Sequence, residues 1–120
     1  MGITSFTQLD VWQKAHQLRL VMFDLADTFP PEQRFVVADQ MRRAAHSIPA
    51  NIAEGFGRRY LPDKIRFYNI AEASAEELKD VLICARDRKH PFDFKSCWDA
   101  LEEVCRMLKG LIRTTENWAK

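Results

Sequence analysis

Glycine and proline are scarce in this chain, with four and five among 120 residues, which excludes collagen-like repeats and Pro/Gly-rich disorder. Long apolar runs are also absent: the longest is the five-residue Val81–Ala85, too short to span a membrane. Neither charge sign dominates, because 18 basic side chains face 17 acidic ones. The first residues lack the charged and apolar blocks of a signal peptide. We therefore expect a single soluble domain over residues 1–120, cytoplasmic and without a membrane partner.

Motifs of catalytic and metal sites are missing as well. The three cysteines form no CxxC pair, and we expect Cys84 and Cys105 to pack as small hydrophobic residues. A di-iron bundle needs two Glu-x-x-His elements, whereas this chain has only Asp87-x-x-His90. Glycine-rich phosphate loops do not occur, and Gly55-Phe56-Gly57 is better interpreted as a helix end. The sequence predicts no catalytic residue, no metal and no cofactor, and hence a protein that is not an enzyme.

What the chain does contain is helical periodicity. Apolar residues recur every three or four positions in four segments, at about 9–28, 32–57, 62–89 and 94–113. Pro30-Pro31 and His90-Pro91 separate the first helix from the second and the third from the fourth. We expect the tail from Thr114 onward to fray. The prediction is an all-α fold, an antiparallel up-down-up-down four-helix bundle.

Pro49 lies inside the second predicted helix. Proline removes one helical hydrogen bond and crowds the carbonyl one turn earlier, here that of Ala45. The apolar periodicity nevertheless resumes in register at Ile52. The sequence therefore predicts a second helix that is kinked at Pro49 but continuous.

Basic residues cluster around the second helix and indicate a possible phosphate-binding surface. The candidates for contact with RNA or DNA are Arg42, Arg43, Arg58, Arg59, Lys64 and Arg66. A second cluster, Arg86, Arg88, Lys89 and His90, ends the third helix. The alternative is that these cations pair with carboxylates of the same chain, for example Glu54 with Arg58 at i, i+4.

Another face of the second helix carries small residues. Arg43, Ser47, Ala50 and Glu54 repeat by four, three and four, opposite the apolar stripe. Because Ser47 and Ala50 do not shield the backbone, another helix can approach closely there. This pattern favours a subunit contact, and the alternative is an ordinary solvent-facing surface.

Two segments are similar to a known family. Leu9–Ala15 reads LDVWQKA, and Gln40–Arg58 reads QMRRAAHSIPANIAEGFGR. Together with pairs such as Phe67-Tyr68 in the third helix, they resemble the four-helix bundle family of bacterial 23S rRNA intervening-sequence proteins. The resemblance covers roughly residues 6–112, and the long Arg-Arg-Ala-x-x-Ser-Ile-Pro-x-Asn-Ile-Ala-Glu-Gly run makes it specific.

The resemblance implies a barrel-like homopentamer. It also relates the chain to the accessory variability protein of diversity-generating retroelements, which binds a reverse transcriptase and nucleic acid. The residues that match the family motif are Arg42, Arg43, Ser47, Pro49, Asn51, Glu54, Gly55 and Arg58. The resemblance implies structural roles for them, in the helix kink, the helix stop and subunit contact. Ala73 stands where a glycine is expected and Glu72 where a basic residue is common, which weakens the implication of nucleic-acid binding.

The leading hypothesis is a non-enzymatic homo-oligomer, a pentamer by resemblance, that acts as a nucleic-acid-associated accessory or scaffold protein. The alternative is a protein-interaction adaptor whose partner is a reverse transcriptase or another bacterial protein. Residues expected at the oligomer interface are Arg43, Ser47, Pro49, Ala50, Asn51, Glu54 and Gly55. An exposed apolar patch would favour the adaptor, and converging arginines would favour nucleic acid.

Overall fold

A computed structural model describes residues 2–118 of the chain. Over these residues it contains four α-helices: α1 (Asp10–Ala26), α2 (Asp39–Gly57), α3 (Leu61–Asp87) and α4 (Phe94–Asn117). Each helix packs against the next, and α4 closes the bundle against α1. The predicted all-α four-helix bundle is confirmed. No helix within residues 2–118 has both the length and the apolar character of a membrane span.

The apolar stripes of the four helices meet in one core. Its completely buried members include Ala15, Met22, Met41, Ile48, Ile52, Leu78, Leu82, Leu101 and Leu108. They recur at three- and four-residue spacing, so that each helix turns one face inward. Ion pairs at the edges tie neighbouring helices together, as between Lys79 and Glu102 at 3.1 Å and between Lys109 and Glu72 at 2.8 Å.

The connection before α2 differs from the predicted continuous helix. Pro31–Gln33 forms a 3-10 turn and Arg34–Ala38 a π-helical segment, and the α-helix begins only at Asp39. Beyond that point α2 is continuous through Pro49, whose side chain is buried. A proline inside a helix lacks the amide donor of one hydrogen bond but is tolerated where packing holds the helix together.

The other helix ends show how local chemistry limits each element. Asp93 caps α4 by accepting a hydrogen bond from the amide of Ser96 at 3.0 Å. At the end of α3, Lys89 adopts a left-handed conformation with φ 66°, and the amide of His90 reaches back to the carbonyl of Ala85. The Asp93 cap satisfies an amide at the start of α4, and the His90 amide satisfies a carbonyl that the end of α3 leaves without a helical partner.

Two local expectations were wrong. The helix does not fray at Thr114: α4 extends to Asn117, and the buried Thr115 donates its hydroxyl to the carbonyl of Leu111 at 2.7 Å. Ala119 and Lys120 lie outside the described residues. Cys84 is exposed rather than packed, because the apolar run in which it lies is wider than the face that α3 buries. Cys105 is buried as expected, and burial raises the pKa of its thiol.

Candidate nucleic-acid interface

Arg42 and Arg43, at the start of α2, face carboxylates of the same chain. Arg42 donates to Asp27 at 2.7 Å, beyond the end of α1, and to Asp39 at 3.1 Å. Arg43 is hydrogen-bonded to Gln40 and lies 3.9 Å from a carboxylate oxygen of Glu77. Both positive charges are therefore partly neutralised within the chain, as the alternative interpretation of this cluster expected.

Arg58, Arg59 and Arg66 lie where α2 ends and α3 begins. The guanidinium carbon of Arg58 lies 4.5 Å from the centroid of the Phe67 ring, and that of Arg66 lies 4.6 Å from the same centroid. One phenyl ring thus holds two guanidinium groups in place by cation–π attraction. Arg59 immediately precedes Tyr60 and lies 6.0 Å from the centroid of its ring. We call Arg58, Arg59, Tyr60, Arg66 and Phe67 the arginine–aromatic patch.

Only part of the charge in this patch is paired. Arg58 forms the predicted i, i+4 ion pair with Glu54 at 2.9 Å. Within residues 2–118, neither Arg59 nor Arg66 has a carboxylate oxygen within 4.0 Å. Over residues 58–66 the sequence places four basic side chains against a single acidic one, whereas the whole chain carries a net charge of only +1. The segment between α2 and the first turns of α3 therefore carries a local excess of positive charge.

Lys64 occupies a structural position beside the patch. Its ammonium group donates to the carbonyl of Phe56 at 2.6 Å and to that of Gly55 at 3.4 Å, at the C-terminal end of α2. A cation at this end complements the negative pole of the helix dipole. Burial lowers the pKa of the lysine. Because its ammonium group donates to backbone carbonyls, Lys64 has fewer N–H donors left for a phosphate than its position in the sequence suggested.

The face of α2 that carries Ser47 and Ala50, which we call the small face, contacts α3 of the same chain. The hydroxyl oxygens of Ser47 and Ser74 lie 2.7 Å apart. Asn51 donates from its side-chain amide to the carbonyl of Ser47 at 2.8 Å and to its hydroxyl at 2.9 Å. Ala50 is half-buried, between this contact and the surface.

Gly55 permits a close approach between α2 and α3. A Cβ atom added there would lie 2.6 Å from Cε1 of Tyr68 and 3.1 Å from the carbonyl oxygen of Lys64. Tyr68 is 2% exposed, so its ring cannot move aside easily. The sequence marked Gly55 as a helix stop, whereas its missing side chain serves mainly to admit Tyr68.

Tyr60 and Phe67 were not among the predicted contact residues, because these were chosen by charge alone. The available signal was the presence of two aromatic residues next to arginines between Arg58 and Phe67, a combination typical of nucleic-acid surfaces. Within the described residues, no three His, Cys, Asp or Glu side chains are grouped so that they could hold a metal ion.

A family model for the 23S rRNA-intervening sequence protein matches residues 7–110, nearly the whole bundle. The chain belongs to this family. The matched range contains the residues of the signature along α2 and of the arginine–aromatic patch. The family resemblance identified from the sequence is therefore confirmed.

A solved structure supports the same assignment. It is a protein of unknown function from the S23 ribosomal protein family of Bacteroides thetaiotaomicron VPI-5482, with 25% sequence identity and a TM-score of 0.80. The alignment covers 86% of this chain and 95% of that one. No match to a curated protein reaches significance. The comparisons establish the family and its helical fold.

Proposed function

We propose that this member of the 23S rRNA-intervening sequence protein family is a non-enzymatic homo-oligomer that binds nucleic acid as an accessory or scaffold protein in the cytoplasm. One observation carries the proposal: Arg59 and Arg66 have no carboxylate within 4.0 Å in the described chain, and they lie beside exposed or cation-bound aromatic rings. Such a combination supplies both phosphate contacts and stacking surfaces.

The Arg42–Arg43 cluster contributes less to this proposal than the sequence suggested. Its guanidinium groups already have Asp27, Asp39 and Glu77 as partners. Displacing a carboxylate to engage a phosphate exchanges one ion pair for another with little net gain. We therefore assign nucleic-acid contact mainly to Arg59 and Arg66. Arg58, which already pairs with Glu54 at 2.9 Å, contributes less, and Lys64 has a structural role.

Oligomerisation is the second part of the proposal. A small net charge and a single three-arginine patch favour weak binding by one subunit, whereas several patches on one assembly bind a long strand with high avidity. A pentamer, as the family resemblance implies, would present five such patches. The half-buried Ala50 is the position on the small face of α2 at which contact with a second subunit is proposed.

The assembly is tested by light scattering of the Ala50→Leu variant. We expect the wild type to have the mass of an oligomer and the variant to have a lower mass at unchanged helicity. Ala100→Leu, a matched enlargement at an exposed position on α4, should keep the wild-type mass. An unchanged mass for Ala50→Leu would remove Ala50 from the interface, and a monomeric wild type would refute the oligomer.

Nucleic-acid binding is tested by titrating labelled RNA and DNA with the purified protein at increasing salt concentrations. We expect affinity to fall steeply and linearly with the logarithm of salt concentration, because each neutralised phosphate releases counterions. Binding that is absent even at low salt would refute this function.

A second candidate function, a protein-interaction adaptor, has its own supporting observation. Phe35 and Val36 are consecutive in the π-helical segment before α2 and are 76% and 70% exposed. Neighbouring apolar side chains that remain open to water are typical of contact surfaces. A partner of this kind, for example a reverse transcriptase, would lose affinity for a Phe35→Ala/Val36→Ala variant and keep it for the variant lacking the three patch arginines.

A further inference from the structure

Tyr60 projects from the bundle at the turn between α2 and α3. It is 64% exposed, although tyrosine has a large apolar ring that usually packs. Its backbone is extended, with φ −102° and ψ 144°, and its carbonyl accepts the hydrogen bond from the amide of Lys64 that opens α3. The position of the residue is thus fixed by the first turn of α3, while its ring remains accessible.

Aromatic rings order the guanidinium groups of the patch. Arg58 and Arg66 share the Phe67 ring at 4.5 and 4.6 Å, and Arg59 lies 6.0 Å from the Tyr60 ring. A guanidinium group that is already held against a ring loses less conformational entropy when it pairs with a phosphate. Two cations are therefore ordered at Phe67, and a third lies over the Tyr60 ring, whose side chain stays largely open to solvent.

We infer that the arginine–aromatic patch selects single-stranded over duplex nucleic acid, with an unpaired base stacked on Tyr60 and the adjoining phosphates on Arg59 and Arg66. This inference rests on the proposed function. In a duplex the base faces are covered by their neighbours, so that Tyr60 has nothing to stack on and only the phosphate contacts remain. In a single strand the bases can splay out and stack on aromatic and guanidinium planes.

The experiment compares the affinities of wild type and variants for oligo-uridine, oligo-deoxythymidine and a duplex of the same length, each longer than about 16 nucleotides. For the wild type we expect single strands to bind at least about fivefold tighter than the duplex. Tyr60→Ala should weaken single-strand binding by about fivefold or more and leave both duplex affinity and salt dependence unchanged. Tyr60→Phe, which keeps the ring, should bind as the wild type does.

Phe35→Ala provides a matched control. Phe35 is also exposed and lies 5.7 Å from the guanidinium carbon of Arg34, but it precedes α2, whereas Tyr60 follows it. The length of α2 separates the two residues by roughly 28 Å. Removal of the Phe35 ring should leave the affinities for all three probes unchanged.

The possible outcomes separate this inference from the function on which it rests. Equal affinity for single strands and duplex, or single-strand binding that survives Tyr60→Ala, overturns the inference and leaves nucleic-acid binding intact. Loss of single-strand affinity in Phe35→Ala to the same extent as in Tyr60→Ala also overturns it. A wild type that binds none of the three probes at low salt overturns both.

Discussion

The hydroxyl oxygens of Ser47 and Ser74 lie 2.7 Å apart and join the middle of α2 to α3. Ser74 is only 8% exposed, and Asn51 donates a further hydrogen bond to the Ser47 hydroxyl. The small side chains let the two helices approach, and the hydrogen bonds satisfy the polar groups that this approach buries.

Replacing either serine should reveal this coupling. We expect Ser47→Ala and Ser74→Ala each to lower the free energy of unfolding by about 1 kcal/mol, because each change removes the hydrogen bond between the two hydroxyls. The double variant should lose less than the sum of the two single variants, since the second change removes the unpaired group. Urea unfolding of the four proteins measures this difference. Strict additivity would show that the two hydroxyls are not coupled.

Alanine at two helical glycines should change stability in opposite directions. At Gly55 the new Cβ atom would lie 2.6 Å from Cε1 of the buried Tyr68, so we expect Gly55→Ala to be destabilising by about 1–3 kcal/mol. At Gly110, inside α4, a Cβ atom meets nothing within 4 Å. Gly110→Ala should therefore be stabilising by about 0.5–1 kcal/mol, through helix propensity. Denaturant midpoints measure both effects, and a stabilising Gly55→Ala would contradict the close packing on Tyr68.

Lys89 ends α3 in a conformation that glycine adopts more easily. Its φ of 66° places a side chain in the left-handed region, which costs about 1 kcal/mol relative to glycine. We expect Lys89→Gly to raise the melting temperature while helix content stays constant. The matched change Arg88→Gly, at a residue with φ −82°, should lower it. A destabilised Lys89→Gly would mean that the lysine side chain has a stabilising contact that outweighs the strain.

Burial of Tyr68 should make the bundle sensitive to alkaline pH. Burial raises the pKa of its phenol from 10.0 to about 12, so that the folded chain retains a proton that the unfolded chain has lost. The stabilising contribution is therefore complete below pH 10 and is lost as the pH rises toward about 12. Tyr68→Phe should have a shallower loss of unfolding free energy in this range, measured by urea unfolding at successive pH values. Identical pH dependences would contradict a buried phenol.

Much of the fold could be predicted from the sequence, because the apolar residues on the buried face of each helix recur every three or four positions. The continuity of α2 through Pro49 follows from the regular spacing of its apolar residues. The exposure of Cys84 could not be predicted, since periodicity does not give the width of the buried face. The π-helical segment before Asp39 likewise has no signature in the spacing of apolar residues.

The candidate site was only partly predictable. The sequence identified its arginines, and it offered the Glu54–Arg58 ion pair as an alternative, which is confirmed at 2.9 Å. It could not tell that Lys64 turns toward the end of α2, or that two arginines share the Phe67 ring, because these contacts depend on the angle between α2 and α3. Sequence spacing carries no information about that angle.

The most direct test of nucleic-acid binding compares two charge-matched variants by the salt dependence of their affinity for RNA. One variant replaces Arg58, Arg59 and Arg66 with glutamine, and the other replaces Arg86, Arg88 and Lys89, so each loses the same positive charge. We expect the first to reduce the slope of log affinity against log salt by roughly 2–3 and the second to leave it near the wild-type value. Circular dichroism serves as the control that both variants remain helical. Equal slopes for the two variants would contradict the assignment of nucleic-acid binding to the arginine–aromatic patch.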